Sequence, residues 1–418
     1  MNKPASGRFA LLSGVIDSRT LPIFAMFFLW SLGTGSLFLA RPILASSFGA
    51  SVVLITLIIS TSAVGRIVAS PITGLLADRW GRKPLVIIGN AIRGGTTFAI
   101  FFSDSYVELL VLEFIGNIGV TIWVTSSQVL VADVTDPSVR GKVVATRNIA
   151  SRAGLLAGPV IAGVLAATIG VRYAFLFNGI TKVIIFFLTL YLIKESKPGT
   201  QPAQADTKRA PRKSLGPSPF RNRTFVVLAF AAFSNAIMSH GVYQAILPVY
   251  AQETVGLTAA GIGGLMGIAG TVALVVSFPN GIIIDRYGRK KMMVPGLALV
   301  AVAAYLLGIS TDYGGLLLMI LVYGMAEGMT MGTTQVFAMD LAPPERRGAF
   351  LGVWSLVAST GNLVGPLAIG FAVAWLGFGP AFLGLAIWIG IAALLVAVFA
   401  TDTRGRAVEQ AERVAPPA

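Results

Sequence analysis

The sequence predicts an all-α integral membrane protein of twelve transmembrane helices, in two six-helix bundles related by a pseudo-twofold axis. Three observations carry this. Of 418 residues, 55% are hydrophobic and 12% charged, with mean hydropathy +0.80, whereas a soluble domain carries about 25% charged residues. Apolar runs recur, each long enough to cross a hydrocarbon core of about 30 Å as a helix. The second half of the chain repeats the first at a constant offset of 207 residues.

The spans fall in order at 21–45, 51–77, 84–103, 106–132, 143–168 and 172–193, then 224–250, 258–283, 292–311, 314–339, 348–375 and 380–400. They are rich in Gly and Val, but in lipid a helix satisfies its own backbone, so strand propensity is a poor guide. The 47 glycines suit close helix packing in a membrane. Residues 1–20 are polar and lack a small-residue cleavage site, so the first span is expected to be an uncleaved insertion signal.

The net charge of +14 is distributed as a membrane topology signal rather than a nucleic-acid footprint. Twenty-five of the 32 Lys/Arg lie in alternate loops and the two tails, against Arg172 alone in the opposite loops. The positive-inside pattern puts both termini and the 195–223 linker in the cytoplasm, in a plasma (inner) membrane. The bilayer is an expected partner; no nucleic-acid partner is expected, and a monomer is. With no cysteine, thiol chemistry and Cys-based metal sites are excluded. There is no P-loop and no nucleophile elbow, so neither catalysis nor a metal or other cofactor is expected.

The Pro-, Lys- and Arg-rich stretch 195–223 divides the chain into a first bundle (1–194) and a second bundle with its tail (224–418). GLLADRWGRK (74–83) returns as GIIIDRYGRK (281–290), VADVTDPSVRG (131–141) as AMDLAPPERRG (338–348), and GLLAGPVIAG (154–163) as GNLVGPLAIG (361–370). Repeats in one register mark an internal duplication. Six spans per copy give both copies the same orientation, as in parallel-repeat transporters.

GLLADRWGRK resembles the signature of the major facilitator superfamily between its second and third spans, and GIIIDRYGRK its second-half echo. Gly154, Gly158, Pro159 and Gly163 resemble a fifth-span motif associated with that superfamily's antiporters; Gly361, Gly365, Pro366 and Gly370 are their copy. The resemblance implies the major facilitator fold and alternating access. It also implies a cytoplasmic gate at Gly74, Asp78, Arg79, Arg82, Arg140, Asp285, Arg286 and Arg289. Gly74 is expected to let two helices touch, Gly81 to take a positive φ, and Arg140 to pair with Asp78. Pro159 removes a backbone donor and bends its helix. The glycines permit close approach to the facing bundle, and simple packing and a role in coupling both fit them.

Six basic residues lie within spans: Arg41, Arg66, Arg93, Arg147, Arg152 and Lys182. Two acids, Glu113 and Glu327, lie clearly within spans. An unpaired charge at the bilayer centre costs about 3 kcal/mol or more, so such residues face a cavity, a partner or an end they can snorkel to, as Arg41 and Arg147 can. Helical spacing places Glu113, Asn117 and Thr121 on one face of the fourth span, with Arg152 on the fifth. Asn235, Ser239 and Tyr243 line up on the seventh beside His240 and Gln244. Tyr323, Glu327 and Thr330 line up on the tenth. Glu113, Glu327 and His240 are the proton-coupling candidates, Glu113 by pairing with Arg152 or Arg93 in one state only; the others are substrate-cavity candidates.

EFIGNIG (113–119) departs from the family pattern, which often places Arg where Glu113 stands. The first span carries Arg41 instead of the usual acid. The expected function is secondary active transport, as proton-coupled export of small amphipathic compounds. The alternative, transport of organic anions or lysolipids, follows from the cationic excess unless the embedded arginines are paired.

Overall fold

The computed structural model describes residues 20–135, 139–193, 219–330, 332–343 and 347–401; the side chains of Asp78, Asp285 and Arg286 lie outside its described part. Among the described residues, twelve helices are long and apolar enough to cross a membrane. The first six spans are the continuous helices α1 (Leu21–Ser47), α2 (Val52–Trp80), α3 (Arg82–Phe101), α4 (Tyr106–Val134), α5 (Arg140–Thr168) and α6 (Arg172–Leu192). The second six are built differently. The seventh joins α7 (Arg223–Ala236), a π-helical segment Ile237–Ile246 and α8 (Leu247–Glu253). The eighth and ninth are α9 (Ala259–Tyr287) and α10 (Arg289–Ile309). The tenth is split into α11 (Tyr313–Thr330) and α12 (Thr333–Leu341), and α13 (Arg347–Leu376) and α14 (Phe378–Phe399) complete the set.

Local sequence explains the helix starts. Ser105 caps α4 by accepting from the Glu108 amide at 3.2 Å, and Thr258 caps α9 by accepting from Gly261 at 3.2 Å. Each satisfies an amide that the first helical turn leaves without a partner.

The chain divides into two compact units: Met1–Ala40 with Val64–Ala210, and Arg41–Ala63 with Pro211–Ala418. The end of α1 and the start of α2 thus belong with the second unit. Ser60 there donates to Leu363 O at 2.9 Å, and Ser46 donates to Glu253. In the first unit Ile23, Met26, Trp30, Val86, Trp123 and Ile185 form the apolar core. In the second, Phe225, Leu228, Leu297, Phe337, Trp354 and Val396 do so. Large apolar side chains elsewhere are exposed, Trp375 by 90% and Ile387 by 68%, as suits helices whose outer faces meet lipid.

Candidate functional site

The two decapeptides build one structure twice. Gly81 and Gly288 adopt φ of 85° and 97°, as the sequence predicts for Gly81. Arg82 Nη1 donates to Ala77 O at 3.1 Å while its Nε stands 3.5 Å from Asp133 Oδ2. Arg289 Nη1 donates to Ile284 O at 3.5 Å while its Nε stands 2.8 Å from Asp340 Oδ2. Each atom of the second set is the 207-residue copy of one in the first. Sequence reasoning missed Asp133 and Asp340, although each keeps its place in VADV and AMDL. The expected Asp78–Arg140 pairing, and the roles of Asp285 and Arg286, fall on side chains outside the described residues. Arg79 is exposed and Arg140 half-buried. Gly74 is exposed, and nothing described lies within 4 Å of where a Cβ would stand.

The glycine motifs make close contacts inside their own units. A Cβ on Gly158 would lie 2.5 Å from Leu32 O and Ser36 N of α1, and one on Gly154 2.8 Å from Leu32 N. In the copy, Gly361 and Gly365 pack against Phe233 and Ile237 of the seventh span, where a Cβ would meet atoms at 3.3 Å and 3.2 Å. Gly370 lies against Thr56. Where the sequence suggested the facing bundle, the close approach of Gly154 and Gly158 is to α1. Pro159 and Gly163 are buried in α5, and Pro366 is in α13, its Cα 3.1 Å from where a Cβ on Gly241 would stand.

In the first unit Arg93, one of the two partners the sequence allows, pairs with Glu113. Its two terminal nitrogens meet the two carboxylate oxygens at 3.1 Å each, with the side chains 2% and 0% exposed. Gly116, one turn along α4, makes room for the guanidinium. Lys182 donates to Trp30 O at 3.2 Å and lies 3.9 Å from the centre of its ring. Trp30 stacks on Trp123 at 3.6 Å with an interplanar angle of 1°. Phe27 packs on Trp123 at 5.1 Å and carries Arg147 at 4.8 Å. Arg147 also donates to Asn148 Oδ1 at 2.7 Å. Among the embedded cations Arg93, Lys182 and Arg147 thus join a sequence of rings and charges. Asn117 and Thr121 are buried, Thr121 donating to Asn117 O at 3.0 Å, and Arg152 is half-buried.

In the second unit three of the remaining candidates, Tyr323, Glu327 and Tyr243, lie together. Tyr323 donates to Glu327 Oε2 at 3.4 Å. The rings of Tyr323 and Tyr243 lie 4.9 Å apart, and Tyr243 donates to Met266 O at 3.1 Å. Ser239, His240, Tyr243 and Gln244 all sit in the π-helical segment and are half-buried, as is Glu327. Asn235 lies just before that segment, half-buried, with an Oδ1 that accepts no hydrogen bond from the described residues. Thr330 is buried and donates to Ala326 O at 2.9 Å, turned into its own helix. The wider turn of a π-helix, rare and frequent at functional sites, re-aims these side chains. A 3.6-residue reading of the sequence does not contain that turn. Glu327 with the two tyrosines offers a carboxylate beside aromatic faces, a combination suited to a proton or an organic cation.

The family model of the Major Facilitator Superfamily matches residues 23–277 and 236–418. An uncharacterized MFS-type transporter of Methanocaldococcus jannaschii is 23% identical over 365 residues, covering 87% of this chain and 93% of that one. Multidrug resistance protein MdtG of Escherichia coli O9:H4 is 27% identical over 324 residues, covering 76% and 77%. The class C tetracycline resistance protein of Escherichia coli is 24% identical over 314 residues, covering 73% and 76%. Among solved structures, a D-xylose–proton symporter superposes with TM-score 0.74 at 19% identity, covering 92% of this chain and 98% of that one. The nucleoside transporter NupG gives 0.71 at 15%, covering 91% and 98%. At such identities these two establish the fold alone. With twelve spans, duplicated loop motifs and a family model that matches nearly the whole length, the chain belongs to the Major Facilitator Superfamily.

Proposed function

We propose that this transporter exports small amphipathic compounds, organic cations among them, in exchange for protons. In this reading it works by alternating access in a plasma (inner) membrane with both termini cytoplasmic. The observation that carries the reading is the half-buried Glu327 beside Tyr323 and Tyr243. A carboxylate there holds a proton or a cationic substrate, but not both, and that competition is what exchange requires. Glu113 is the weaker coupling site, since both its oxygens are bound by Arg93 in a buried pair. Anionic substrates would need cations free to face them, and Arg93, Lys182 and Arg147 have protein partners. Relatives named for multidrug and tetracycline resistance support the same direction.

The test is transport in proteoliposomes under an imposed pH gradient, with ethidium, an organic anion and a fluorescent lysolipid as probes. Proton-driven movement of ethidium, reduced about 10-fold or more in Glu327→Gln, is expected. Movement of the anion or lysolipid alone, or full coupling in Glu327→Gln, would overturn the reading.

A further inference from the structure

Seven glycines among the described residues adopt positive φ. Six form pairs at the 207-residue offset: Gly49 with Gly256, Gly81 with Gly288, and Gly170 with Gly377. The seventh, Gly332 at φ 78°, has no counterpart: its equivalent in the first half is Thr125, inside the continuous α4. Gly332 is the joint between α11 and α12. A left-handed residue ends regular helix, and glycine takes that conformation without steric cost.

The two sides of the joint are held differently. Upstream, α11 is fixed to α9. A Cβ on Gly324 would lie 2.6 Å from Ala269 O, and one on Gly328 would lie 2.7 Å from Ala273 O. Asn280 of α9, 3% exposed, donates through Nδ2 to Gly328 O at 3.0 Å and to Met329 O at 2.9 Å. Those carbonyls belong to the last turn of α11, and Met329 O also accepts from Thr333 Oγ1 at 2.8 Å across the joint. The first-half equivalent, Thr73, turns its hydroxyl back onto Ala69 O at 2.7 Å and bridges nothing. Downstream, α12 is held by polar contacts to other helices: Asp340 with Arg289 at 2.8 Å, and Gln335 Oε1 accepting from Trp354 Nε1 at 2.9 Å. Glu327 stands on the final turn of α11, between the clamp and the two tyrosines.

We infer that Asn280 is a positioning residue. It pins the end of α11, so that a change of occupant at Glu327 turns α12 about Gly332 and carries Asp340 along or away from Arg289. The first-half pair, Arg82 with Asp133, sits on an unjointed rod and moves only with its whole helix. The part played by Glu327 rests on the function proposed above; the joint rests on the backbone and the clamp. At 1.5 Å per residue α12 is about 13 Å long, so a turn of about 20° shifts its far end by about 4 Å.

The chain has no cysteine, so introduced pairs can be spin-labelled alone and their separations measured in proteoliposomes. Val275→Cys with Met339→Cys spans α9 to α12; both positions are exposed, by 64% and 38%. The equivalent pair, Val68→Cys with Ala132→Cys, spans α2 to α4. We expect the first distance to change by about 4 Å between the native chain and Glu327→Gln, and the second by about 1 Å or less. Gly332→Thr, which installs the type of residue found in the first half, should abolish the change. Asn280→Ala should lower turnover about 10-fold with KM within about 2-fold, and Asn280→Gln should restore part of it. Should Asn280→Ala fail to fold, Gly332→Thr carries the test. Equal shifts in both label pairs, no shift in either, or a loss confined to KM would overturn the inference. Ethidium transport in the same vesicles separates the two readings. A distance change without proton-driven dye movement would leave the joint standing and overturn the proposed function. Dye movement at constant distance would do the reverse.

Discussion

Arg93 and Glu113 face each other across α3 and α4 with two contacts of 3.1 Å, and neither side chain is more than 2% exposed. A buried pair of this kind is costly to break from one side, because the survivor is left charged in a low-dielectric interior. Arg93→Met alone should therefore lose about 3–5 kcal/mol of stability, whereas Arg93→Met with Glu113→Leu should recover most of it. Thermal unfolding in detergent reads both. Ethidium coupling that survives in the double variant would assign the pair to architecture.

The two Arg–Asp pairs, Arg82 with Asp133 and Arg289 with Asp340, are expected to respond to charge exchange. Asp340→Ala should reduce transport, and so should Asp133→Ala. Exchanging the charges, as Arg289→Asp with Asp340→Arg, should restore activity in part, because the pair is only 16% and 18% exposed and its attraction is incompletely screened. Initial transport rates of the single and double variants measure the coupling.

Three glycines should differ sharply on substitution. Gly158→Ala drives a methyl group into α1 backbone atoms 2.5 Å away, and should cost about 1–3 kcal/mol. Gly116→Ala pushes against the Arg93 guanidinium and should lower the melting temperature through the ion pair. Gly74→Ala meets nothing within 4 Å and should leave stability and transport unchanged. Melting temperatures of the three variants order them.

The stacked indoles of Trp30 and Trp123, 3.6 Å apart, should give an exciton signal in near-ultraviolet circular dichroism that disappears in Trp123→Phe. Lys182→Met should keep that signal while losing about 0.5–2 kcal/mol of cation–π stabilisation.

The spans and the duplication were legible in the sequence because both are written in strong, repeated signals: apolar length, basic loops and a constant offset. Pairing of Arg93 with Glu113 was legible only as one of two options, since a separation of 20 residues fixes neither the crossing of α3 and α4 nor the partner. The Trp30–Trp123 stack carried no signal, because a tryptophan in an apolar run reads as core. The π-helical turn of Ser239 to Gln244 and the break at Gly332 were hidden for another reason. Both are departures from regular helix set by packing against α13 and α9, and periodicity assumes the regularity they break. Gly74 shows the opposite case: its motif is clear, but whether a helix lies beside it is a fact of tertiary structure.

The pairing of the left-handed glycines also orders events in time. Three pairs share a turn at matched positions, and a duplicated ancestor hands down such turns intact. Gly332 opposite Thr125 is a difference between the twins, so it arose after the duplication, whichever copy changed. A chain rebuilt from two copies of residues 1–194 would inherit the three paired turns and two Arg–Asp pairs. It would have neither the joint nor Glu327, whose first-half equivalent is Val120. The difference between the halves is thus younger than the symmetry they inherit.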